Sequence, residues 1–439
     1  MEVPSAYNYY IPENDFFIYF NGLTKVAFSL RENEHRRMQE LLGDLRRFKH
    51  DYPSVFLKFK EWGYLVEKRE DELHEILSRN RAEIRDDSTY FLILNPTLQC
   101  NLDCWYCYEN HASSGAMDLS TIHKIKNHLR YVIDTLPLKK LVVSYFGGEP
   151  LLYFKEAIKP LYAFAVEICN ENHIELTHTF TTNGTLINRY FIKELKKYDT
   201  PVHFQITLDG GREKHNKIRN QKGQPTFDNI VNHIHLLCEH LPAAEIILRI
   251  NYDHETLNDP HLKEIFSLIN PAYRKKIYVD FERIFQTKTN SYASGDYAPL
   301  LDHMEYCKAL GYPTRTGNDL ITDRFHACHL DLFYARIINF DGKIYACTAR
   351  DFTPERCVGE LNEDGTITWA DSFAEHTFSS PTFENEHCMS CKHLPLCFGP
   401  CSQLVREQQE NKTPFICDRI LQDLSFETKI SLYYHRIYG

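Results

Sequence analysis

The chain has 439 residues, 25% of them charged and 43% hydrophobic, with 50 basic against 60 acidic residues and a net charge of −10. Those proportions exclude disordered, collagen-like and peptide-toxin classes, and a chain this long buries roughly three quarters of its unfolded surface without covalent staples. The negative balance has the wrong sign for wrapping on nucleic acid or anionic lipid, which leaves the 14 cysteines to be explained.

The opening MEVPSAYNYY has neither a basic n-region nor an apolar h-region, and no apolar run approaches membrane-spanning length. A cytoplasmic location follows as an expectation, and in a reducing compartment clustered cysteines are metal ligands more often than disulfides. Next, FFIYF and KVAFSL flank Asn21-Gly22 and predict a β-hairpin. Helical spacing predicts helices over 33–46 and 52–62, Tyr64-Leu65-Val66 a short strand, and the charged run 67–86 a solvated helix. These elements form a first unit, residues 1–88.

From Tyr90 the rhythm changes to YFLILNP, KLVVSYF, IELTHTFTTN, PVHFQITLD, EIILRIN and KIYVDFERI, each of the first five preceding a helical pattern. Helix-bearing crossovers force parallel pairing, so residues 89–300 read as an α/β barrel or doubly wound sheet. Chemistry in such folds sits where strands end. The residues there are Thr97 to Cys107, Gly147 to Pro150, Asn183-Gly184 and Asp209-Gly210. Residues 301–439 are loop-rich and crowded with cysteines.

Cys100, Cys104 and Cys107 form C-x3-C-x2-C in the loop after the first of these strands. Three thiolates on a cubane [4Fe-4S] cluster leave one iron open to a chelating ligand. Zinc is the simplest competitor, but structural zinc prefers four protein ligands. Gly147-Gly148-Glu149-Pro150 ends the second strand; its glycines permit close backbone approach, and its carboxylate can accept from an ammonium group. An ordinary tight turn is the competing reading.

The triplet, with Tyr106 before its last cysteine, resembles that of the radical S-adenosylmethionine enzymes, partial (β/α)6 barrels in which the open iron chelates the amino and carboxylate groups of S-adenosylmethionine. In that family cleavage of the sulfonium yields a 5′-deoxyadenosyl radical that abstracts a substrate hydrogen. The resemblance makes Cys100, Cys104 and Cys107 the catalytic cluster ligands. GGEP resembles the loop holding the methionine amine, Thr181-Thr182-Asn183-Gly184 the strand-end TNG, and Thr207-Leu208-Asp209-Gly210 the SIDG motif. The implied cofactor contacts are Tyr106, Gly147, Gly148, Glu149, Pro150, Asn183, Thr207 and Arg219, with Asn183 equally readable as a helix-entry turn residue.

Cys328, Gly342-x4-Cys347, Cys388-x2-Cys391-x5-Cys397-x3-Cys401 and Cys417 resemble the SPASM extension, which binds two auxiliary [4Fe-4S] clusters. Interleaved zinc sites are the alternative. The resemblance assigns Cys388, Cys391, Cys397 and Cys417 to a distal cluster and Cys328, Cys347 and Cys401 to a proximal one. A proximal fourth cysteine is missing, since Thr322 occupies its position; Cys307 or Cys357 loops in, or an iron stays open. Cys169 and Cys238 read as core.

The resemblance implies three [4Fe-4S] clusters plus S-adenosylmethionine, and an oxidoreductase that installs a thioether or carbon–carbon crosslink in a ribosomally synthesised precursor peptide. A reductant protein such as flavodoxin or ferredoxin completes the expected partners; nucleic acid and membrane are not among them. The first unit resembles a winged-helix-like element that grips a leader peptide by strand addition. One rival is the formylglycine-generating sulfatase maturase, whose base directly after the G-x4-C cysteine is here Thr348. The other is a non-catalytic iron–sulfur peptide-binding scaffold.

Overall fold

The computed structural model describes residues 2–109, 115–284, 298–316, 321, 324–326, 328–370, 385–414, 417 and 424–438. Two compact units emerge: Met1–Asp86 with Asn318–Phe333 and Phe378–Gly439, and Asp87–Gly317 with Tyr334–Thr377. Thr322 lies outside the described residues.

In the first unit β1 (Val3–Pro4) pairs antiparallel with β5 (Leu65–Val66), while β2 (Asn8–Pro12), β3 (Phe16–Asn21) and β4 (Ala27–Arg31) form an antiparallel sheet in that order. The expected hairpin is β3–β4. Its connection is longer than a two-residue turn because Asn21 is fully buried: its amide donates to Gly63 O at 2.9 Å, and its Oδ1 accepts from Leu23 N and Thr24 N. The predicted helix over 33–46 is broken into α1 (Glu32–Gly43) and α2 (Leu45–Asp51), because Asp44 caps the second through Arg47 N. Then come α3 (Pro53–Glu61), with proline in its first turn, and α4 (Arg69–Ile84). α4 has the solvated face expected and, opposite it, a buried stripe of Glu72, Ile76, Asn80 and Ile84 at helical spacing. Its polar members are paired, Glu72 with Ser5 Oγ and Ala6 N, and Asn80 with Phe325 O. The C-terminal segment packs against β2 and β3, where Phe426, Ile430 and Leu396 meet Tyr9, Ile18 and Phe20.

In the second unit the six expected strands are β6 (Thr89–Asn95), β7 (Lys140–Tyr145), β8 (Glu175–Thr182), β9 (Val202–Thr207), β10 (Glu245–Tyr252) and β11 (Ile277–Arg283). They lie parallel, in chain order, each paired with the next. α5 (Leu119–Thr135), α6 (Lys159–Glu171), α7 (Arg189–Leu195), α8 (Arg212–Ile218) and α9 (Phe227–His240) are among the crossovers. Alternation is the physical cause of this layering. Tyr90, Leu92, Leu94, Leu141, Val143, Phe204, Ile206, Leu248 and Ile250 are sealed on one face, Tyr90 donating to His128 of α5 at 2.6 Å. The opposite face carries Ser144, Thr179, Thr181, Gln205, Thr207, Arg249, Asn251 and Asp280 at aligned register positions.

The βα rhythm continues past residue 300, where the helix Ala298–Ala309 leads to β12 (Thr314–Thr316), parallel to β11. On the far side, β13 (Ala335–Asn339) joins β6 in parallel, followed by antiparallel β14 (Lys343–Tyr345), β15 (Cys357–Leu361) and β16 (Ile367–Trp369). Among the described residues the result is a mixed eleven-stranded sheet. Cys169 and Cys238 are core residues, as expected, and Cys307 is likewise fully buried on its helix. Among the described residues no helix is long and apolar enough to cross a membrane.

Candidate active site

The loops after β6, β7, β8 and β9 converge at the carboxyl ends of these strands. The first two lie backbone on backbone: Gly148 N donates to Thr97 O at 3.2 Å and Glu149 N to Gln99 O at 2.8 Å. Glycine is required at both crossings. Gly147 has φ +94° and a Cβ there would stand 2.4 Å from Thr97 O; one on Gly148 would stand 2.2 Å from Gln99 O. GGEP is thereby locked beside the cysteine loop, and Pro150 opens a short 3-10 helix, Pro150–Tyr153.

Glu149 is wholly buried. Its Oε1 accepts from Leu151 N at 3.0 Å and Thr182 Oγ1 at 2.8 Å, its Oε2 from Asn183 N at 2.7 Å. Burial pushes its carboxyl up, against the pull of those donors. The side chain thus ties the GGEP loop to the end of β8. Glu149→Gln places an amide N–H against one of these donors, so the variant should lose about 2 kcal/mol of stability in chemical denaturation.

Asn183 is a turn residue that also touches the cysteine loop. Its Oδ1 accepts from Thr185 N at 3.0 Å as a turn residue, and its Nδ2 donates to Asn101 Oδ1 at 2.8 Å and approaches Cys100 Sγ at 3.8 Å. Within the cysteine loop Cys107 N donates to Cys104 O at 3.0 Å. Burial pushes the Cys100 thiol up to about 12, and Cys104, within its electrostatic reach, adds to the rise. Cys104 and Cys107 are raised for the same first reason, and Cys107 acts on Cys104. Cys104 is coupled to Cys100 on one side and to Cys107 on the other, and three thiols with no fourth cysteine on the loop are the donor set of a cluster with one open iron. Because burial keeps the metal-free thiols protonated, iron binding must release protons. Iron uptake by the metal-free protein should therefore tighten as pH rises from neutrality, as titration with ferrous ion and sulfide would measure.

Thr207 ends β9, buried and in register with Arg249 of β10. Beyond it Asp209, Arg219 and Tyr106 meet. The Tyr106 hydroxyl donates to Asp209 Oδ2 and accepts from Arg219 Nη1 at 2.6 Å and Asn251 Nδ2 at 3.1 Å. Asp209 Oδ1 accepts from Asn251 N at 3.0 Å, and Arg219 Nη1 stands 3.6 Å from Oδ2. Burial raises the Asp209 carboxyl, while the neighbouring guanidinium lowers it. His215 braces the same stretch. Burial holds it neutral, with its pKa pushed down to about 3. Its Nδ1 accepts from Asp209 N at 3.2 Å, which leaves the proton on Nε2 to donate to Thr226 Oγ1. Thr226 in turn donates to Arg219 O.

Asp209, His215, Asn251, Tyr108, Arg249 and Asp280 are functional candidates that the sequence reading did not assign. Arg249 donates to Asp280 at 3.0 Å, and Tyr108 lies within electrostatic reach of Cys107, Cys347 and Arg249. Polar residues alternating within the apolar strand IILRINY were the available clue.

The remaining cysteines are divided. In the second unit Cys347 Sγ accepts from Ala349 N at 3.3 Å. Cys357 lies opposite Tyr345, two residues from Cys347, and its thiol faces Gly359 O at 3.1 Å. In the first unit burial pushes Cys397 up to about 11, with Cys417 and Cys391 adding to the rise. Cys391 N donates to Cys388 O at 3.0 Å. Asp331 ties together the segments of Cys328 and Ser402, its carboxylate accepting from Cys328 N at 3.0 Å and from Ser402 Oγ, one residue after Cys401.

Residues 94–269 match the family model described as the radical SAM superfamily. An uncharacterized protein of Methanocaldococcus jannaschii is 27% identical over 290 residues, spanning 64% of this chain and 92% of that protein. The radical SAM cyclopropyl synthase TigE of Paramaledivibacter caminithermalis is 23% identical over 399 residues, 82% of this chain and 78% of that one. Among solved structures, native anSMEcpe with bound AdoMet and Kp18Cys peptide aligns at TM-score 0.59 and 19% identity, covering 80% of this chain and 97% of that chain. Streptococcus suis SuiB bound to S-adenosylmethionine aligns at TM-score 0.52 and 17% identity, covering 92% and 97%. These likenesses show a shared fold. The matched segment carries the loops after β6, β7, β8 and β9, where the cysteine triplet and GGEP lie.

Proposed function

We propose that the protein is a radical S-adenosylmethionine maturase that oxidatively modifies a ribosomally synthesised precursor peptide, forming a thioether or carbon–carbon crosslink. The observation that carries this is the crossing of the cysteine loop by Gly147 and Gly148, which packs the GGEP backbone directly against the loop that bears Cys100, Cys104 and Cys107. With cluster and nucleotide bound there, the chemistry supplied is a 5′-deoxyadenosyl radical. Cys100, Cys104 and Cys107 hold the iron, while the GGEP backbone, Asn183, Thr207 and Arg219 hold and orient the nucleotide. The polar inner face of β8 to β11 receives the substrate.

TigE, named a cyclopropyl synthase and aligned over most of both chains, supports bond formation at carbon. The solved complex of anSMEcpe with a peptide supports a peptide substrate. Thr348 after Cys347 weighs against sulfatase maturation, because it cannot act as a carboxylate base. A distal auxiliary cluster is held by Cys388, Cys391, Cys397 and Cys417, all of the first unit. Cys307 is ill suited as a cluster ligand, being sealed on the helix Ala298–Ala309. Residues 1–88 act as the leader-binding element, with β4 at an edge of its three-stranded sheet open to strand addition. A flavodoxin- or ferredoxin-type protein supplies electrons.

Anaerobic co-expression with a candidate precursor, followed by intact mass measurement, tests the reading. Loss of a pair of hydrogens supports it; an unchanged mass with altered chirality would replace crosslinking by epimerisation. Cys391→Ala should spare deoxyadenosine formation and stop peptide oxidation, as chromatography of both products would show.

A further inference from the structure

The residues after the GGEP loop frame a groove of about 280 Å³. Leu151, Leu152, Phe154 and Leu186 give it an apolar floor, and Tyr190 of α7 forms a wall. Phe191, the next residue, packs edge-on against Phe180 of β8 with 5.5 Å between ring centroids, so α7 covers the side of the sheet opposite its polar face. The Tyr190 ring is exposed, with Lys155 Nζ at 5.0 Å and Lys159 Nζ at 5.8 Å from its centroid. Lys159 is neutralised by Glu194 at 3.1 Å, an acid that Lys197 shares at 2.7 Å. Lys155, Arg189, Lys193 and Lys196 are exposed and, among the described residues, have no acidic partner, against one carboxylate in the groove lining, Glu156. On a chain of net charge −10 such a patch repels itself until an acidic surface meets it.

We propose that this groove docks a reduced flavodoxin, an acidic carrier whose flavin presents an apolar aromatic edge, and that electrons enter the site here. This rests on the radical S-adenosylmethionine reading above and names where its electron donor binds. Carboxylates around the flavin meet Lys155, Arg189, Lys193 and Lys196, while the flavin edge lies against Tyr190 and the apolar floor. The route inward is short. Leu151 N donates to Glu149 Oε1 at 3.0 Å, and Glu149 N donates to Gln99 O at 2.8 Å, one residue before Cys100. By chain connectivity the floor therefore lies no more than roughly 20 Å from Cys100. The anionic flavin hydroquinone gives up one electron and leaves as the neutral semiquinone, and the iron held by Cys100, Cys104 and Cys107 takes that electron, so no proton moves. Because the peptide is received on the opposite face of the sheet, carrier and substrate do not compete.

The test compares two reductants on anaerobically reconstituted protein, with deoxyadenosine measured by chromatography: dithionite, which needs no docking, and photoreduced flavodoxin. Charge reversal in the double variant Lys155→Glu, Lys193→Glu should lower the flavodoxin-driven rate about tenfold at low ionic strength and leave the dithionite-driven rate unchanged. The two proteins should converge as salt is raised, since screening removes the attraction. Lys155→Arg with Lys193→Arg keeps the charge and should behave as wild type. Equal flavodoxin-driven rates in the wild-type and charge-reversed proteins, or a matching loss with dithionite, would overturn the docking site. So would a wild-type protein that dithionite drives and flavodoxin does not. No deoxyadenosine from wild type with either reductant would instead defeat the functional reading beneath it.

Discussion

Gly148→Ala should reduce 5′-deoxyadenosine formation about a hundredfold, the cost expected for displacing reacting groups by roughly an ångström. A methyl group there would lie 2.2 Å from Gln99 O and 2.5 Å from Leu98 O, both main-chain atoms that cannot rotate aside. The cysteine loop and the GGEP loop must separate. The backbone bonds Gly148 N to Thr97 O and Glu149 N to Gln99 O break, and Cys100 shifts with its loop. Gly43→Ala is the control: it lies in α1 with nothing within 4 Å of its would-be Cβ, and should leave the rate unchanged. A Gly148→Ala enzyme with full activity would show that close approach of the two loops is not needed.

Cys104→Ala should abolish deoxyadenosine formation altogether while leaving the other cysteine sets able to bind iron. Cys104 sits between its partners, electrostatically coupled to both Cys100 and Cys107, so its loss leaves a thiol pair unable to retain a cubane. Iron and sulfide analysis should fall by one cluster's worth. The contrast with Cys391→Ala separates the roles, because that variant should still cleave the nucleotide. Peptide oxidation by Cys104→Ala would contradict the assignment.

Much of the sheet was legible because β6 to β11 each carry an apolar alternate face and the first five are followed by a helical pattern. β13 was not, since its partner β6 is over 200 residues away and nothing local announces that pairing. β12, three residues long, falls below what periodicity resolves. α4 misled because Glu72 and Asn80 look like surface residues; their burial is offset by Ser5 Oγ and Phe325 O, partners visible only in the folded chain. At the site, cysteine spacing and paired glycines carry their chemistry locally, so Cys100, Cys104, Cys107, Gly147 and Gly148 could be named in advance. The Tyr106–Asp209–Arg219–Asn251 junction could not, because it joins side chains from the cysteine loop, two segments after β9 and the strand β10.

The most direct measurement is electron paramagnetic resonance of the reduced, reconstituted Cys391→Ala protein, with and without S-adenosylmethionine. A shift in the cluster spectrum on adding the nucleotide, accompanied by deoxyadenosine release, is the predicted result. Protein that takes up only zinc, or iron whose spectrum ignores the nucleotide, would contradict it.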